Sequence, residues 1–131
     1  MIFIMIISGL LSSMYVWAEK WSDVRISIND LYMIGLMTGY MIFFMSLFGR
    51  EWAIAALSAA FVAIILYAIR TQAFVSRNQY YKGMIPHHSM AVFMSRKLLE
   101  SNPALKEEET RFLRNVIATQ SAEIDWMKMR Q

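Results

Sequence analysis

The chain has 131 residues, a formal net charge of +3, no cysteine and a hydrophobic fraction of 57%. Without cysteine there is no disulfide and no thiolate metal site, and basic residues scattered among acids form no nucleic-acid patch. The apolar share exceeds that of an ordinary soluble domain and directs attention to membrane spans.

Three uncharged apolar runs come first. They are Met1–Ala18 (MIFIMIISGLLSSMYVWA), Leu31–Gly49 (LYMIGLMTGYMIFFMSLFG) and Trp52–Ile69 (WAIAALSAAFVAIILYAI). As helices such runs measure roughly 27–28 Å at ~1.5 Å per residue, close to a hydrocarbon core of ~30 Å. In lipid the backbone must satisfy its own hydrogen bonds, so all three are expected to be spanning helices. No Lys or Arg precedes the first run, which favours a retained span over a cleaved signal peptide.

Residues 19–30 read as a short polar connection, and Gly49-Arg50-Glu51 as a tight link that makes the second and third spans an antiparallel hairpin. No helix breaker occurs between Trp52 and Lys82, so the third span is expected to continue through RTQAFVSRNQYYK, with Gly83 and Pro86 loosening or kinking it. An amphipathic stretch follows from His87 to about Glu100. Ser101-Asn102-Pro103 stops it, with Asn102 as N-cap and Pro103 as first residue of a last helix. Glu107, Glu108 and Glu109 suit the early turns of that helix. Its apolar positions Phe112, Leu113, Val116, Ile117, Ile124 and Met127 repeat at helical spacing.

The expected fold is therefore all-α: three transmembrane helices within residues 1–70, then a C-terminal helical hairpin over 71–131. A hairpin that small buries too little to stand alone. Two copies would complete a four-helix bundle, so a homo-oligomer is expected. Gly35 and Gly39, a small-xxx-small pair, fit either contact between copies or packing within one chain.

His87 and His88 are the only histidines. Imidazole is the commonest side-chain metal ligand, and thioethers select Cu(I) over hard cations. Met84, His87, Ala91 and Met94 share a helix face, whereas His88 points ~100° away from His87. Gln120, Glu123 and Met127 share a face of the last helix and could meet the histidines if the hairpin closes. The candidate metal ligands are His87, His88 and Met84, then Met94, Glu123, Met127 and Gln120. Glu123 or Gln120 could instead orient a histidine. Adjacent histidines also serve as partners of water, carbonyls or headgroups, and methionines as packing. Met33, Met37, Met41 and Met45 recur every four residues opposite Gly35 and Gly39, as a thioether ladder or as packing.

The run Met84-Ile85-Pro86-His87-His88, followed by Ile117, Gln120, Glu123, Ile124 and Met127, resembles the family called "domain of unknown function 305" over about residues 78–130. Three preceding spans resemble a membrane-bound branch of it. The resemblance implies a ferritin-like helical fold, here half a bundle, and copper binding in metal homeostasis or tolerance outside the cytoplasm. Soluble members often carry Gln-Gly where this chain has His88-Ser89-Met90.

Copper as Cu(I) is the expected metal, with zinc or none as alternatives. The rival function is a homo-oligomeric membrane scaffold with structural histidines. An enzyme is not expected. No Glu stands three residues before either histidine, as di-iron sites require. Serine-hydrolase and phosphate-loop patterns are missing, and no histidine lies inside a span to hold haem. The expected location is a bacterial inner membrane. Arg70, Arg77 and Lys82 favour a cytoplasmic hairpin by charge, and the resemblance favours an extracytoplasmic one, the side adopted here.

Overall fold

The computed structural model describes residues 2–131. Met1, where the first expected span begins, lies outside them. The described residues form five α-helices and no strand. They are α1 (Ile2–Leu11), α2 (Ile28–Phe48), α3 (Trp52–Thr71), α4 (Arg77–Ser101) and α5 (Glu107–Lys128), with short 3₁₀ turns at Met14–Trp17 and Trp21–Asp23. They divide into two compact units: the residues up to 13 with 27–75, and residues 14–26 with 76–131.

The first unit contains α1, α2 and α3. Ser27 and Asp30 start α2 with a reciprocal cap. The Ser27 N–H donates to Asp30 Oδ2 at 2.8 Å, and the Asp30 N–H donates to Ser27 Oγ at 3.4 Å, which satisfies otherwise orphaned donors. Arg50, with φ 57°, makes the left-handed turn between α2 and α3. Gly39 permits their close approach: a Cβ there would lie 2.8 Å from Val62 Cγ2 and 3.0 Å from Phe61 Cδ1. The small-residue face of α2 thus packs on α3 within one chain.

At 21 and 20 residues, α2 and α3 are long and apolar enough to cross a membrane. Only 22% and 17% of their apolar windows is buried. A soluble core helix would be largely covered, so these two are apolar helices that the chain itself leaves uncovered.

Two expectations about this region change. The first apolar run does not form a span. Helix α1 has 10 residues, or about 15 Å at 1.5 Å per residue. It ends at Leu11, and the Ser12 hydroxyl donates back to the Ser8 carbonyl at 2.6 Å. Residues 14–17 then pack on α4 in the second unit. The third run forms its helix but does not continue through Lys82. Thr71 ends α3 because Gln72 adopts a left-handed conformation (φ 50°) and the Ala73 N–H closes onto the Ala68 carbonyl at 2.9 Å. Helix α4 starts afresh at Ser76, whose hydroxyl caps the Gln79 N–H.

The second unit is the α4–α5 hairpin with residues 14–26. Pro86 sits buried inside an unbroken α4, so the amphipathic stretch does not begin at His87. Asn102 is the C-cap of α4 rather than an N-cap, and its Oδ1 accepts the Ala104 N–H at 3.2 Å. Helix α5 begins instead at Glu107, where Glu109 accepts the Lys106 N–H at 2.9 Å. Tyr81, Ile85 and Val92 recur on one face of α4 and close against Ile124 and Met127 of α5. Ser89 lies on this face, fully buried, and is the polar anchor for residues 14–26. Its hydroxyl donates to Asp23 Oδ2 at 2.8 Å and accepts the Glu19 N–H at 2.9 Å. Lys128 of α5 pairs with the other Asp23 oxygen, and Arg96 of α4 pairs with Glu19 at 2.6 Å. Residues 14–26, expected as the end of the first span and the start of a polar connection, are a strap across the hairpin.

Candidate metal centre

His88 follows Tyr81 by seven residues, two turns of α4, and so stays near the buried face. Only 12% of its side chain is exposed. His87, one residue earlier, is rotated out and exposed. Their ring centroids lie 5.9 Å apart with planes at 63°. The divergence follows from helical geometry, because Pro86 leaves the helix unbroken.

Across from His88, α5 presents Glu123 and Met127 one turn apart. His88 Nδ1 lies 2.9 Å from Glu123 Oε2. The Glu123 carboxylate is thus the polar partner of this buried nitrogen. Burial pushes the His88 pKa below the ordinary imidazole value, and the His87 charge adds to that. Glu123 opposes both without reversing the net direction. The neutral ring keeps a lone pair for a ligand.

His88, Glu123 and Met127 line one pocket of about 200 Å³. Its remaining wall is aromatic: Tyr80, Tyr81 and Trp126. Tyr81 meets Trp126 edge-on, with centroids 6.0 Å apart and planes at 88°. The Arg130 guanidinium lies 3.8 Å from the Trp126 ring centroid. These aromatic walls were not among the candidates; Tyr80-Tyr81 two turns before the histidines and Trp126 beside Met127 were the available signal.

The other candidates stand elsewhere. Met84 packs against the hairpin core. Met94 is 55% exposed, and Gln120 is half-buried off the pocket wall. Among the described residues no three His, Cys, Asp or Glu side chains converge. A site here is therefore one imidazole, one carboxylate and one thioether, with His87 beside it.

The family described as "Domain of unknown function (DUF305)" matches residues 65–130, half of the chain, and covers both helices that build this pocket. The chain belongs to the DUF305 family. A DUF305-length match ends short of the strap, but a longer similarity includes it. "Uncharacterized protein L153" of Acanthamoeba polyphaga mimivirus is 39% identical over 128 residues, which cover 92% of this chain and 82% of that protein. No solved structure matches the chain significantly.

Proposed function

We propose that this DUF305 protein is a non-enzymatic, membrane-anchored binder of copper as Cu(I), serving metal homeostasis or tolerance. The observation that carries this reading is the convergence of His88, Glu123 and Met127 on one pocket, with His88 Nδ1 2.9 Å from Glu123 Oε2. An imidazole, a carboxylate and a thioether facing one small pocket are three donor types that a metal ion could bridge.

The donor chemistry favours copper over zinc. Structural zinc takes four ligands, usually thiolates and imidazoles, and the described residues assemble no three of the usual groups. A thioether such as Met127 adds a soft donor, which suits Cu(I). His88 would bind through a ring nitrogen. Glu123 would supply charge or orient the ring, and His87 or Met84 would complete the set after a modest change of rotamer or from a second copy. The ferritin-like bundle implied by the family fits the last option, since a homo-oligomer brings two hairpins together.

Helices α2 and α3 would be the anchor. Two spans place both flanking segments on one side, with Arg50 on the other. The reading specifies a membrane and not a bacterial one; the extracytoplasmic side for the hairpin follows from the family resemblance, against the charge pattern.

Competition with a chromophoric Cu(I) chelator, on the full chain in detergent, tests the proposal. Wild type is expected to withhold Cu(I), and His87→Ala/His88→Ala to lose one equivalent of it with helicity unchanged. Equal copper content in the two proteins would overturn it. A scaffold is the second reading, favoured by Phe112 and Trp126, exposed on α5 at 64% and 46%. It predicts that the same variant changes oligomer size and not metal content.

A further inference from the structure

Helix α2 carries four methionines, Met33, Met37, Met41 and Met45, whereas α3, one residue shorter and also apolar, carries none. A generic preference for methionine in these helices would not produce that contrast. The structure separates the two sides of α2. Gly35 and Gly39 face Phe61, Val62 and Ile65 of α3. Met37, Met41 and Met45 line a groove of about 390 Å³ together with Met5, Ser8 and Ser12 of α1. Gly9 brings α1 close: a Cβ there would meet Ile34 at 3.0 Å and the Met37 methyl at 3.1 Å.

We propose that this groove is a second, thioether-only site for a soft monovalent cation of the Cu(I)/Ag(I) class, held by Met5 with neighbouring pairs among Met37, Met41 and Met45. The site does not depend on the hairpin reading, because it shares no residue with it. Methionines four apart on a helix rise ~6 Å, so two of them on one face can share an ion with Met5 from the other helix. The three α2 thioethers thus make two overlapping positions along the groove. None of the lining residues is charged. Neutral donors in apolar surroundings leave an ion's charge uncompensated, and the cost of moving an ion into such a medium rises with the square of its charge. That penalises Zn²⁺, Ca²⁺ and Mg²⁺ far more than a monovalent ion. Thioether softness then discriminates against Na⁺ and K⁺.

Silver(I), which is redox-inert, is the probe. The full chain in detergent is loaded with Ag(I), desalted and assayed for silver, and its methionine methyl groups are followed by ¹³C NMR. The variant Met5→Leu/Met37→Leu/Met41→Leu/Met45→Leu keeps the groove apolar and removes its sulfur. It is expected to lose one equivalent of silver. That equivalent should persist in His87→Ala/His88→Ala/Met127→Leu, which empties the hairpin pocket. Met37→Leu/Met41→Leu, a milder change, should shift the remaining Met5 and Met45 methyl response to Ag(I) if the fourfold variant does not fold. Unchanged silver content in the fourfold variant, or no Ag(I) shift of the groove methyls in wild type, would show a merely lipid-filled groove and overturn the proposal.

Discussion

The Asp23 carboxylate accepts the Ser89 hydroxyl at 2.8 Å across 66 residues of sequence, and both side chains are buried. Lys128 closes the same carboxylate from α5. One acid therefore holds the strap to both helices of the hairpin. Removing its charge leaves Lys128 without its partner and weakens the hydrogen bond from Ser89. Asp23→Asn is expected to cost about 1.5–3 kcal/mol, the range for hydrogen bonds to charged groups. Chemical denaturation of the full chain, followed at the hairpin by tryptophan emission, measures this. A change under ~0.5 kcal/mol would mean that the strap does not stabilise the hairpin.

The two shifted groups make stability depend on pH in the same direction. Burial alone would raise Asp23, but the Lys128 and Ser89 hydrogen bonds and the Lys128 charge outweigh it and hold its pKa below the ordinary value. Burial likewise lowers His88. For both groups the unfolded chain binds protons first as pH falls, so stability rises with pH through each window. The His88 contribution is complete above ~6.5 and declines as pH falls from there to its lower folded-state value. The Asp23 contribution declines below ~3.9. Thermal melts from pH 8 to pH 3 should show two steps, and His88→Gln should abolish the upper one alone.

Gly39 and Gly35 should respond differently to alanine. At Gly39 the new methyl would stand 2.8 Å from Val62 Cγ2, whereas at Gly35 the nearest atom is Ile65 Cδ1 at 3.6 Å. Gly39→Ala is expected to cost about 1–3 kcal/mol through overpacking. Gly35→Ala should be neutral or slightly stabilising, since alanine favours the helix. Unfolding of the two variants in mixed micelles provides the comparison; equal stabilities would contradict the α2–α3 packing.

Thr38 is buried, and its hydroxyl has no hydrogen-bond partner among the described residues. Valine keeps the shape and removes the polar atom. Thr38→Val is expected to stabilise the first unit by about 1 kcal/mol, given the desolvation cost of an unsatisfied group. A lower melting temperature for this variant would mean that the hydroxyl has a partner in the membrane.

Glu123 separates a structural clasp from a metal site. Glu123→Gln should weaken Cu(I) binding by about 10- to 100-fold if the carboxylate orients or neutralises the site. If it only clasps His88, the variant should alter stability and leave the affinity unchanged.

Helical periodicity and composition alone determined the all-α class, the two long apolar helices, the α4–α5 hairpin and the divergence of His87 from His88. Each of these depends on residues within a few turns of one another, where 3.6 residues per turn sets which side chains share a face. Tertiary structure decided the rest. The end of α1 at Leu11, the left-handed turn at Gln72 and the strap were not legible, because turn closures depend on where the chain goes next. Among seven candidate ligands, only His88, Glu123 and Met127 meet in one pocket. Helix spacing restricts which residues on one helix can share a site, but the register between two helices is set by how Tyr81, Ile85 and Val92 pack against Ile124 and Met127.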